Sequence, residues 1–147
     1  MKPVMQTSFG TDDDAPPNER GNCVQASLAS IFELPLEETV NPAVEPTPAK
    51  FWAAIDVWLA EKDLLALHFH PEDVKFDPLG EAYCLLHGKT SGGSRHTIVG
   101  QMSSSDDRPR KQHSVFYPVH DPMGKDGLAK VISITLFVRR LSNVWVR

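Results

Sequence analysis

Apolar residues recur at helical spacing as far as about Lys62, and at strand spacing from Leu64 onwards. No other feature narrows the fold as much as this change of period. Helices come first and an antiparallel sheet follows, which predicts an α+β fold. No repeat and no second domain is visible, so residues 1–147 are read as one domain.

The first helix is expected from Cys23 to Glu33. Asn22 stands at the N-cap position and Pro35 follows the end. Val24, Ala26, Leu28, Ala29, Ile31 and Phe32 make it apolar nearly all round, as in a buried helix. Leu36 to Val40 suggests a further short turn. The second helix is expected from Pro48 to Lys62, capped by Thr47, with Pro48 in the first helical position. Phe51, Ile55, Trp58 and Leu59 form its core stripe, with Trp52 at the edge.

The expected strands are Leu64 to Phe69, Ala82 to His87, Arg95 to Gln101, Ser114 to His120 and Val131 to Arg139. Asn143 to Arg147 is a candidate edge. Glu72 to Gly80 reads as loop, and Met102 to Gln112 as a polar excursion. Residues 1–22 read as an irregular arm, broken by Pro3, Gly10, Pro16, Pro17 and Gly21, with Asp12 to Asp14 a solvated run. Within it Val4, Met5 and Gln6 form a short extended piece that could dock on a sheet.

The net charge of −4 argues against a general nucleic-acid binder. No apolar run approaches the roughly 20 residues of a membrane span, and the opening residues carry no signal-peptide h-region. The expectation is a cytoplasmic protein with Cys23 and Cys84 as reduced thiols.

Cys23 directly follows Gly21 and Asn22 at the start of the first helix. A thiol attacks as its thiolate, and its reference pKa is about 8.5. The unpaired N–H groups and partial positive charge of a helix N-terminus favour the anion. A small buried hydrophobe would account for Cys23 equally well.

A cysteine nucleophile needs a base and a group that orients the base. His96 opens one strand, and Asp121 follows the end of the next. In adjacent antiparallel strands the start of one lies beside the end of the other. His96 and Asp121 can therefore meet, with Asp121 fixing the imidazole tautomer. The alternatives are a strand histidine satisfied by backbone and an aspartate that starts a turn before Pro122.

These residues carry a resemblance. Gly21-Asn22-Cys23 with its Ala/Ser-rich helix, Arg95-His96-Thr97-Ile98-Val99-Gly100, and Val119-His120-Asp121-Pro122-Met123-Gly124 resemble the papain-like cysteine proteases, and within them the C39-like peptidases. The chain is also similar to short phage and bacterial proteins with a Gln-Thr, Gly-Asn-Cys, Leu-Pro-Leu-Glu-Glu, His-Asp-Pro pattern. Here that pattern is Gln6-Thr7, Gly21-Asn22-Cys23, Leu34-Pro35-Leu36-Glu37-Glu38 and His120-Asp121-Pro122. The resemblance implies a papain-like fold, with Cys23 as nucleophile, His96 as general base and then acid, and Asp121 as orienting group. It implies Gln6 as an oxyanion-hole donor beside the Cys23 backbone N–H, with Asn22 and Asn18 as fallbacks. The spacer from Gln6 to Cys23 is long and carries the acidic run. A protein or peptide substrate, no cofactor and no metal are implied.

Other readings stand beside this one. The same triad serves an acyltransferase, and a retired protease scaffold serves as an inactive binding or antagonist protein. His68 and His70 could share a strand face as half a metal site, although spacing indicates no third ligand. Cys84 reads as core packing, and His87 and His113 carry no pattern. Arg108 to Lys111, next to Asp106 and Asp107, reads as a solvated hairpin tip. Trp145, near the C-terminus, is no stacking platform on this reading.

Overall fold

The computed structural model describes residues 1–10, 16, 19–73, 82–102, 116–124 and 127–140. Several sequence-based expectations fall outside these: the acidic run, Asn18, most of the 72–80 loop, the excursion after Met102, Arg108 to Lys111, His113, Trp145 and the edge at Asn143 to Arg147.

Helix α1 spans Cys23–Phe32 and helix α2 spans Pro48–Ala60. The strands are β1 (Leu64–Phe69), β2 (Ala82–Lys89), β3 (Arg95–Met102), β4 (Phe116–His120) and β5 (Lys130–Arg139). They form one antiparallel sheet in the order β1-β5-β2-β3-β4. The fold is α+β, as the change of period predicts. The order is not the sequential one: β5 inserts between β1 and β2.

Helix ends follow local chemistry. Thr47 Oγ1 accepts the Lys50 N–H at 3.3 Å, capping α2. Helix α1 stops at Glu33, whose φ of 57° is left-handed and whose N–H returns to Ala29 O. The segment after α1 makes single 3₁₀ turns at Leu36–Glu38 and Pro42–Val44.

Both helices pack on one face of the sheet. Leu28, Ile55, Leu59 and Leu85 are fully buried there, and Phe32 meets Trp58 and Phe137 edge-on with ring centroids 5.3 Å apart in each pair. On the other face Cys84, Leu86, Ile98, Ile134 and Leu136 form a second cluster. Leu85 and Leu86 are neighbours on opposite faces, so β2 is buried on both sides. Its near-continuous apolar run reflects this.

Strand β4 pairs with β3 so that His120 lies opposite Val99, with a register shift between Val99 and Gly100. Asp121 then leaves β4 alongside the start of β3, where His96 sits.

The N-terminal arm is irregular in hydrogen bonding, as expected, yet it is docked. Val4, Gln6 and Ser8 turn inward and Met5, Thr7 and Phe9 outward, as in a strand. The arm runs antiparallel to α1. The Lys2 N–H reaches Ser30 O near the helix end, while the Thr7 and Ser8 N–H groups reach Asn22 Oδ1 at its start.

Candidate active site

Three elements converge: the start of α1, the start of β3, and the turn after β4. Cys23 is the first residue of α1 and is partly exposed. His96 is the second residue of β3, and its side chain is 3% exposed. Asp121 opens the turn closed by the Gly124 N–H to Asp121 O at 2.9 Å.

His96 Nε2 donates to Asp121 Oδ1 at 2.7 Å. That carboxylate is itself fixed. Oδ1 also accepts the Met123 N–H at 2.8 Å, and Oδ2 accepts the Gly127 N–H at 3.1 Å. Gly124 and Gly127 both have positive φ, at 64° and 72°, and so supply the left-handed conformation that this turn needs.

The Cys23 thiol is the other group that acts on the His96 ring, and it favours the charged form. With Nε2 committed to Asp121, Nδ1 is the nitrogen left to take the thiol proton. Burial is the largest single influence on His96 and acts to lower its pKa. The hydrogen bonds and charges of Cys23 and Asp121 together outweigh it, and the net shift is upward. The imidazolium is thereby favoured.

Asn22 does not cap α1 as its position predicts: its side chain makes no cap bond to the helix. Its Oδ1 accepts from Thr7 N and Ser8 N, both at 3.0 Å, and its Nδ2 donates to Thr7 Oγ1 at 3.1 Å and Gln25 Oε1 at 2.9 Å. Both donors and both lone pairs are used. Asn22 therefore has no side-chain donor to spare for an oxyanion, unlike the fallback role expected of it. The consequence for Cys23 is favourable: with no side-chain cap, the first N–H groups of α1 keep their attraction for an anion.

Gln6 is 5% exposed. Its Nε2 donates to Ser8 O at 3.0 Å, and the same oxygen accepts the Asn22 backbone N–H at 3.2 Å. Its own backbone N–H donates to Pro122 O at 3.0 Å. Gln6 thus lies between the residue before Cys23 and the residue after Asp121. The long spacer is no obstacle, because the chain returns: the Gly21 N–H bonds Gly10 O at 2.9 Å. Among the described residues, Gln6 Oε1 is the buried side-chain polar atom that lacks a partner. One proton of Nε2 makes no bond among the described residues.

The site gives Gly21 a second reason besides sequence punctuation. A Cβ there would lie 2.8 Å from Gly10 O, closer than real contacts allow.

The remaining histidines resolve differently from the sequence reading. His87, which carried no pattern, is half-buried on the helix-facing side. Nδ1 pairs with Thr97 Oγ1 at 2.9 Å and Nε2 with Thr135 Oγ1 at 2.8 Å. His68 Nδ1 pairs with the same Thr135 hydroxyl at 2.9 Å, and Trp52 lies edge-on to both rings. Burial, helped by repulsion from His68, pushes the His87 pKa down to about 4. His70 lies beyond β1, so His68 and His70 are not strand partners. Among the described residues, no group of three His, Cys, Asp or Glu side chains is placed to hold a metal ion. Nor, among them, is any helix long and apolar enough to cross a membrane. His120 was read only as part of the His-Asp-Pro turn. Its Nε2 donates to Val4 O at 3.0 Å.

Comparison with known protein families, curated proteins and solved structures finds no match for this chain.

Proposed function

We propose that this chain is a cysteine-dependent hydrolase of papain-like, C39-like type that cleaves a peptide, isopeptide or other amide bond. The observation that carries the reading is the placement of His96. Asp121 holds it at 2.7 Å on Nε2, and Cys23 is near enough to raise its pKa together with Asp121.

In this mechanism His96 Nδ1 takes the Cys23 proton, and the thiolate attacks the carbonyl carbon. The carbonyl oxygen becomes an oxyanion, which the Cys23 backbone N–H and the free Gln6 Nε2 proton stabilise. Such a donor contributes about 2.7–4 kcal/mol in the transition state. The His96 imidazolium gives its proton to the leaving amine. Water, deprotonated by His96, then attacks the thioester, releasing the acid and restoring the thiol. The upward shift of His96 suits a group that must hold a proton between these steps. A protein or peptide substrate and a reducing cytoplasmic setting fit this chemistry.

The test is the pH dependence of iodoacetamide alkylation, read by mass spectrometry with Cys84 as internal control. Fast modification of Cys23 well below the usual thiol pKa, lost in His96→Ala, supports the reading. Free-thiol behaviour of Cys23 with or without His96 ends it, and leaves the binding-protein reading to be pursued by partner capture.

A further inference from the structure

The residue before Cys23 and the residue before Asp121 grip the same short segment. Asn22 Oδ1 accepts the Thr7 and Ser8 N–H groups. His120 Nε2 donates to Val4 O. Between these grips lies Gln6, whose N–H is bound by Pro122 O. An extended segment otherwise outside the sheet is thus fastened on both sides of its one buried glutamine.

The local sequence gives no other use for these groups. Asn22 has spent all four of its hydrogen-bonding positions, three of them on the arm. It forgoes the helix cap that asparagine ordinarily supplies. The His120 ring reaches across to a carbonyl 116 residues earlier in the chain. Other bonds tether the arm at Lys2, Val4, Gln6 and Ser8, and the Asn22 and His120 side chains add a hold on each side of Gln6.

We propose that Asn22 and His120 are positioning residues of the active site, which act through Gln6 by holding the arm against the Cys23 and Asp121 ends. The proposal rests on the hydrolase reading above. A donor to an oxyanion must be placed to within a fraction of an ångström, and a 1 Å displacement costs on the order of 10²-fold in rate. Loss of either grip therefore weakens oxyanion stabilisation and leaves the thiol and its base intact.

Two reagents separate these effects. Iodoacetamide alkylates the thiolate by displacement at a saturated carbon and forms no oxyanion. p-Nitrophenyl acetate acylates it: the sulfur–acyl bond forms through a tetrahedral oxyanion, and p-nitrophenolate leaves with the electron pair of the broken ester bond. The ratio of acylation to alkylation at Cys23 reports the oxyanion site alone. It is compared with the ratio for free glutathione.

In the wild type this ratio exceeds that of glutathione, and Gln6→Ala lowers it by roughly 10²-fold. His120 is half-buried, so its substitution spares the core. His120→Leu is expected to lower the ratio at least roughly tenfold with alkylation unchanged. His120→Gln, whose amide N–H can still reach Val4 O, restores it. The double variant Gln6→Ala/His120→Leu matches Gln6→Ala alone, because both act on one group. Asn22→Ala behaves as His120→Leu where thermal melting shows it folded. An unchanged ratio in His120→Leu beside a loss in Gln6→Ala overturns the positioning role, and so do additive losses in the double variant. A wild-type ratio equal to that of glutathione overturns the hydrolase reading itself, and this proposal with it.

Discussion

Asp121 holds His96 with the same oxygen that accepts the Met123 N–H, so the imidazole is oriented by a carboxylate that its own turn has locked. Asp121→Asn removes the charge and keeps the size. The charge that raises His96 is then lost and its hydrogen bond weakened, and its pKa falls. NMR titration of the His96 ring reads this directly; an unshifted titration would show that the pair is not coupled. Cys23 acylation by an activated ester should fall by roughly 10²–10⁴-fold.

The same pair sets a stability trend. A histidine whose folded pKa lies above its unfolded value adds stability that is complete below about 6.5. That stability is lost as pH rises through the raised folded value. The melting-temperature gap between wild type and Asp121→Asn should therefore be widest near pH 6 and narrow towards alkaline pH.

His87 behaves in the opposite sense. Its folded pKa of about 4 lies below the ordinary 6.5, because burial and His68 disfavour the charged ring. Its contribution is present above about 6.5 and is lost as pH falls towards 4, amounting to roughly 3 kcal/mol across the window. His87→Gln should be less stable than wild type at pH 7 and flatter between pH 6.5 and 4. Parallel acid melting curves for the two proteins would refute the assignment.

Cys84 is fully buried, and burial pushes its pKa up to about 12. At pH 8 iodoacetamide should modify Cys23 and leave Cys84 untouched until denaturant is added. Peptide mapping of the native and unfolded protein checks both halves of this statement.

Gly10 lies where the arm crosses the chain before Cys23. A Cβ there would fall 1.7 Å from Glu19 O, a backbone atom that cannot step aside. Gly10→Ala must displace the arm. We expect faster proteolysis within residues 1–10 and a lower acylation-to-alkylation ratio, with alkylation of Cys23 preserved.

The sequence by itself determined the elements. Helical period, the Thr47-Pro48 start and the Pro35 stop place α1 and α2 to within two residues, and alternation places the strands nearly as well. These signals are local: they depend on which residues lie one turn or two positions apart. The meeting of His96 and Asp121 was legible for the same reason, since adjacent antiparallel strands bring a start beside an end.

Asn22 shows where local reasoning stops. Its position before a helix predicts a cap, yet its side chain serves the arm, because Thr7 and Ser8 present two N–H groups that nothing else among the described residues satisfies. His87 carried no signal, since its neutral, half-buried state depends on Thr97 and Thr135 arriving from two other strands. The insertion of β5 between β1 and β2, and the threading of Gln6 between Asn22 and Pro122, were likewise decided by tertiary structure. Hydrogen bonds between residues distant in sequence are chosen by which buried groups need partners once the sheet and helices have packed.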